Sequence, residues 1–228
     1  MLVVDDEALV RSGFELILNA ADDIEVVATA TGADAVAAVR AHHPDVVLLD
    51  IRMPDVDGLT VLRELRALPA PPVVAMLTTF DTDEYVLTAL HAGAAGFLLK
   101  DTEPEQLAQL VHALAAGGVV LSPKASRTLL RGRPGHDPAA DADAANDDDE
   151  EVARVERLTG RERDVLVLVA EGLSNAAIGA RLHLSTGTVK DHVSAVLAKL
   201  RVAGRVQAAL VAHRAGLLDA DREPGARP

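Results

Sequence analysis

Five short apolar runs, LVV, IEVVATA, DVVLLD, PVVAMLT and AGFLL, punctuate residues 1–121, and the segments between them repeat their apolar positions with helical period. Runs of consecutive Val, Leu and Ile, without polar alternation, suit strands buried on both faces, as in a parallel sheet covered by helices. The expectation for residues 1–121 is therefore an open, doubly wound α/β domain with five parallel strands. In such sheets ligands sit beyond the carboxyl ends of the strands, near the reversal of strand order, so the residues that close each run are where chemistry is to be sought.

Asp5 and Asp6 follow the first run, Asp50 closes the third, Thr78 closes the fourth and Lys100 follows the fifth. Each has an ordinary reading on its own: a turn or cap for the aspartates, a β-branched strand residue for Thr78, a solvated end for Lys100. Together they describe one site. Carboxylates brought to one sheet edge repel and raise at least one pKa unless a cation neutralises them. A hard divalent cation with oxygen ligands, Mg²⁺, is the natural partner, and it keeps waters that leave room for phosphoryl oxygens. Asp50 is then the candidate nucleophile for an acyl phosphate, with the Thr78 hydroxyl and the Lys100 ammonium available to phosphoryl oxygens.

The formal net charge of −13 argues against a nucleic-acid partner until the chain is divided. Residues 1–130 carry −11, residues 131–157 carry −5 and residues 158–228 carry +3. The asymmetry suggests an acidic module joined to one able to meet a polyanion. With no cysteine in the chain, disulfides, thiolate metal sites and a catalytic thiol are excluded. The first residues have no basic segment before an apolar run and no apolar stretch reaches membrane-spanning length, so the expected location is cytoplasmic with no membrane partner.

Residues 122–157 read as a connecting helix followed by a linker rich in Pro, Gly, Ala and Asp, with DDDEEVARVER able to begin a helix. The linker's carboxylates are expected to compete with DNA for a basic helix face and so hold an inactive state. Residues 158–218 show helical period only, in four short helices with caps at Ser174 and Ser185 and stops at Gly172 and Gly216. That pattern fits a helix-turn-helix domain, in which the helix at TGTVKDHVSAVLAKL would enter the major groove. Residues 219–228 are expected to form a flexible tail.

VVDDE, DVVLLDIRMPDVDG, LTTFD and AGAAGFLLKD resemble the receiver domain of two-component response regulators, a flavodoxin-like fold. LTGRERDVLVLVAEGLSNAAIGARLHLSTGTVKDHVSAVLAKL resembles the LuxR-type helix-turn-helix, and the two together resemble the NarL/FixJ family of transcriptional regulators. The resemblance implies that Asp50 accepts a phosphoryl group from a sensor histidine kinase and that Asp5 and Asp6 hold Mg²⁺ with Asp50 and the backbone carbonyl of Arg52. It implies that Thr78 and Lys100 contact the phosphoryl group, that Phe97 stands at an aromatic switch position, and that the protein is a homodimer on double-stranded DNA with part of the interface on the last helix. Phe97 equally suits core packing. Thr186, Thr188, Lys190, Asp191 and Ser194 lie toward the exposed side of the recognition helix, and Lys190, Lys199, Arg201 and Arg205 are the expected phosphate contacts. The same positions also read as an ordinary solvated face.

Pro54 stiffens the loop after Asp50, Gly58 opens the next helix, and Asp55 and Asp57 are assigned to turn and cap duty. Where the family often has proline after the lysine, in a cis bond, this chain has Asp101, which disfavours a cis bond there. Arg52 occupies the place where dehalogenase-type phosphatases carry a second aspartate, so a non-enzymatic regulator is the expected class. The alternative is a DNA-binding regulator whose receiver answers to a ligand or partner independently of phosphorylation.

Overall fold

In the computed structural model, which describes residues 1–79, 83–121 and 150–218, the chain divides into two units, residues 1–132 and 133–228. The first alternates β1 (Leu2–Val4), α1 (Ala8–Leu18), β2 (Ala28–Ala30), α2 (Ala35–His42), β3 (Val46–Asp50), α3 (Gly58–Arg66), β4 (Val73–Thr78), α4 (Asp83–His91), β5 (Gly96–Leu99) and α5 (Pro104–Ala115). Its five strands are all parallel, in the order β2-β1-β3-β4-β5. The doubly wound sheet expected from the apolar runs is thus present, and its strand order reverses between β1 and β3.

Strand residues are buried on both faces, as their composition requires. Val3, Leu48, Ala75, Leu77 and Leu98 form one core with Phe14 and Leu18 of α1 and Leu107, Val111 and Leu114 of α5. Their alternating neighbours Leu2, Val4, Val47, Leu49, Val74 and Met76 are fully buried on the opposite face, where α2 and α3 pack. β2 is shorter than the run IEVVATA suggests. The Val26 amide is taken by the Asn19 side chain at 2.8 Å and the Val27 amide by the Met1 carbonyl, so ladder pairing to β1 starts only at Ala28. At the far edge, Gly96 bridges Val120, and a Cβ at Gly96 would stand 2.4 Å from the Val120 carbonyl oxygen.

The second unit contains α6 (Gly160–Ala170), α7 (Asn175–Leu182), α8 (Thr186–Leu200) and α9 (Arg205–Arg214), the four helices expected. It begins before residue 158. Residues 150–156 are helical, Val155 and Leu158 are buried in a core with Leu166, Val196, Leu200 and Val211, and the Arg214 guanidinium grips Glu151 at 2.6 and 2.7 Å. The apolar pair Val155 and Leu158, spaced three apart, is what anchors the end of the acidic segment. The connecting helix and most of the acidic linker, and the tail 219–228, lie outside the described residues. Among the described residues no helix is long and apolar enough to cross a membrane.

Candidate functional site: a carboxylate pocket and a helix-turn-helix face

Register places the site. Val4 lies beside Leu49, so Asp5 and Asp50 leave adjacent strands side by side at the reversal of strand order. Thr78 pairs with Leu99, and the Lys100 amide donates to the Thr78 carbonyl at 2.9 Å, which fixes Lys100 at the same edge. Asp5, Asp6 and Asp50 offer carboxylate oxygens that all lie within 4.8 Å of one another. Lys100 Nζ sits between two of them, 2.7 Å from Asp5 Oδ2 and 3.1 Å from Asp50 Oδ2. The expected residues Asp50, Arg52, Thr78 and Lys100 line one open pocket of about 350 Å³, together with Glu7 and Thr79.

The electrostatics follow from burial. Burial pushes the Asp50 carboxyl above the usual carboxylate range, against the pull of Lys100 and the Arg52 backbone N–H, while Asp5 adds to the rise. Burial works to lower the Lys100 ammonium, but its bonds to Asp5 and Asp50 outweigh that and hold it above its ordinary value. Lys100 pairs with two of the three clustered carboxylates, and the net negative charge and all-oxygen donor set suit a divalent cation. Arg52 lines the same pocket, and its backbone N–H bonds to the Asp50 carboxylate.

Phe97 is buried on β5, paired beside Met76 and facing away from Leu98, so it belongs to the core and does not line the pocket. No cis peptide bond occurs among the described residues, the Lys100–Asp101 bond included.

One supporting residue, Arg11, went unread in the sequence, and two others, Gly58 and Asp55, were read only in part. Arg11 donates to the carbonyls of Asp5 at 2.7 Å and Asp6 at 3.0 Å, closing the turn that presents both carboxylates. Gly58 is more than a helix opener: a Cβ there would stand 2.0 Å from the Asp50 carbonyl oxygen, so α3 starts directly against the Asp50 backbone. Asp55, assigned to a local turn, also accepts from the Ala33 amide at 2.9 Å and ties two loops together; that bond, the largest of several causes, holds its carboxyl below the usual range. Asp57 does occupy the cap position of α3, but its side chain makes no capping bond. A cation six residues from an aspartate on the first turns of a helix is the one signal that points to Arg11.

In the second unit α7 and α8 form the helix-turn-helix. Ser174 and Ser185 cap them by accepting from the amides of Ala177 and Thr188, as expected. Gly179 makes the turn possible, because a Cβ there would meet the Leu184 carbonyl oxygen at 2.7 Å. Ile178, Val189, Val165, Leu168 and Val169 form the core between the helices. Thr186, Lys190, Asp191 and Ser194 are exposed on α8, and the Ser194 hydroxyl donates to the Lys190 carbonyl at 2.9 Å. Thr188 is half-buried, and its hydroxyl lies 2.9 Å from that of Ser185.

Two of the four expected phosphate contacts have partners inside the domain. Lys199 Nζ lies 2.6 Å from Glu162 Oε2, completing a capping box with Thr159 at the start of α6. Arg205 is turned inward, donating to the Asn175 side chain at 2.9 Å and to the Leu173 carbonyl, and burial pulls its pKa down to about 10. The expectation of Arg205 as a surface contact gives way to a role tying α9 to the start of α7. Lys190 and Arg201 remain exposed, Arg201 at the left-handed residue that ends α8.

Comparison with known proteins agrees with both halves. The response regulator receiver domain matches residues 1–112, and the bacterial regulatory proteins of the luxR family match residues 156–212. The chain is 36% identical over 215 residues to the nitrate/nitrite response regulator protein NarL of Escherichia coli K12, covering 94% of each chain. It is 36% identical over 229 residues to the DNA-binding transcriptional activator DevR/DosR of Mycobacterium tuberculosis H37Rv, covering 100% of this chain and 99% of that one. A solved LuxR-family two-component response regulator from Aurantimonas sp. SI85-9A1 is 27% identical, with a TM-score of 0.53, over 57% of this chain and 94% of that chain. The chain therefore belongs to the NarL-type response regulators, phosphorylation-regulated DNA-binding transcription regulators that join a receiver domain to a LuxR-type helix-turn-helix.

Proposed function

We propose that Asp50 is the phosphoacceptor, supplied by a sensor histidine kinase. The observation that carries this is the cluster of Asp5, Asp6 and Asp50 where the sheet reverses, with Lys100 bonded to Asp5 and Asp50 and with Asp50, Thr78 and Lys100 lining one open pocket. An Asp50 carboxylate oxygen attacks the phosphorus of the kinase phosphohistidine; the new O–P bond forms as the N–P bond breaks, and the imidazole leaves with its electron pair. Asp5, Asp6, Asp50 and the Arg52 carbonyl would hold Mg²⁺, which when bound neutralises carboxylate and phosphoryl oxygens. Lys100, already between Asp5 and Asp50, supplies an ammonium to one phosphoryl oxygen, and the Thr78 hydroxyl supplies a donor to another.

The acyl phosphate shifts the receiver between two states, with Thr78 and Phe97 as the moving pair, and the shift controls DNA binding by the second unit. The chain acts as a cytoplasmic homodimer on a two-fold operator, using part of α9 as its interface, and as a switch rather than an enzyme of turnover. Thr186, Thr188, Lys190, Asp191 and Ser194 face the major groove, with Lys190 and Arg201 at phosphates. Intact mass after incubation with Mg²⁺ and acetyl phosphate tests the acceptor: the parent gains one phosphoryl group and Asp50→Ala gains none. A gain in both, or in neither, refutes it.

A further inference from the structure

Arg52 makes contacts in two directions. Its backbone N–H bonds to the Asp50 carboxylate, and its guanidinium lies over the ring of Tyr85 on α4, with Cζ 5.3 Å from the ring centroid. The same residue lines the pocket beside Thr78 and Lys100. Its side chain is exposed and starts within one hydrogen bond of the acceptor, so it is long enough to point either to α4 or to the pocket.

We infer that Arg52 is a positioning residue that couples the state of Asp50 to α4: its guanidinium rests on Tyr85 while Asp50 is unmodified and turns to the phosphoryl oxygens once the acyl phosphate forms, releasing Tyr85. The physical case is a competition between two hosts for one cation. A guanidinium resting on the face of a half-buried aromatic ring is held only modestly. A phosphoryl group offers several charged oxygens that match the planar fork of arginine, a stronger, directional pairing. Before modification the pocket competes less for the guanidinium, because Lys100 already lies against both Asp5 and Asp50. Afterwards the added phosphoryl charge needs a further cation, and Arg52 borders the pocket. Helix α4 follows β4, whose last residue Thr78 lines the pocket too, so the Arg52 contact gives the pocket a second hold on that helix.

This rests on Asp50 as the acceptor, and the test separates the two. Tyr85 is the only tyrosine in a chain with no tryptophan, so emission from the full-length protein reports its ring alone. Emission and intact mass are followed together on adding Mg²⁺ and acetyl phosphate. The parent should gain the phosphoryl mass while its emission moves to the level of unmodified Arg52→Gln, whose own emission stays put on modification. Calorimetry with beryllofluoride and Mg²⁺ supplies effects of opposite sign. Arg52→Gln, which keeps its backbone groups, should bind this phosphoryl mimic about five- to tenfold more weakly, with Arg52→Lys recovering part of the loss. Tyr85→Leu, which removes the competing host, should bind it about two- to fivefold more tightly. A mass gain in the parent with unchanged emission, an equal emission change in Arg52→Gln, or weakening in both Arg52→Gln and Tyr85→Leu would overturn the coupling; absence of a mass gain in the parent would overturn the acceptor reading and the coupling with it.

Discussion

In the receiver, Asp5, Asp50, Thr78 and Lys100 leave four different strands and meet at one sheet edge, while in the C-terminal unit Lys199 and Arg205, expected at DNA phosphates, are bound to Glu162 and to Asn175 and Leu173. The difference lies in what fixes each side chain. A residue that ends a buried parallel strand has its position set by ladder register, which a run of Val and Leu announces in sequence. A long cation on a surface helix chooses its partner from whatever the tertiary fold brings near, and helical period carries no trace of that choice.

The contrast can be broken at its strong end first. Gly58→Ala places a methyl against the Asp50 carbonyl, where backbone must yield, so the receiver should lose about 3 kcal/mol in chemical denaturation and most of its capacity for phosphoryl gain. An unchanged denaturation midpoint would show that α3 does not press on Asp50.

Arg205 comes next. Arg205→Met should cost the C-terminal unit about 2 kcal/mol, because Asn175 and the Leu173 carbonyl lose their donor, yet leave the salt dependence of DNA binding at its parent slope. A reduced slope with unchanged stability would return Arg205 to the phosphate backbone.

Glu162→Gln, which keeps an acceptor for the capping box but loses the charge facing Lys199, should cost about 1 kcal/mol at neutral pH. The bond from Lys199, helped by the Thr159 amide, holds the Glu162 carboxyl below its ordinary 4.5. Its contribution is therefore fully present above pH 4.5 and fades as pH falls through the lowered folded value, where parent and variant should converge. A difference that persists in acid would point to shape, not charge. The smallest effect belongs to Lys190→Ala, which should leave stability unchanged and lower the salt slope of DNA binding by about 1.

Much of the fold was legible because continuous apolar runs alternate with segments of helical period over the first 121 residues and only helical period follows. The carboxylate set was legible for the same reason: each member ends a run. Features set by one backbone pressing on another were not, such as Gly58 on Asp50 and Gly179 on Leu184, since any glycine in a helix looks alike in sequence. The acidic run of DDDEEVARVER announced the helical start at residues 150–156, but its composition conceals that Val155, with Leu158 just after the segment, is buried in the core of the second unit. Arg11 and Arg205 were misjudged in opposite directions, one overlooked and one taken as a surface cation, since their roles depend on carbonyls that only the folded chain presents.

The most direct test of a phosphoryl switch acting on DNA is the affinity for a duplex selected from a random pool by the phosphorylated protein. It is measured for the parent and Asp50→Ala, each with and without acetyl phosphate and Mg²⁺. The parent should bind about tenfold more tightly after phosphorylation and Asp50→Ala should not respond. Equal affinity of the parent in both states, or the same gain in Asp50→Ala, would contradict control of the helix-turn-helix by the carboxylate pocket.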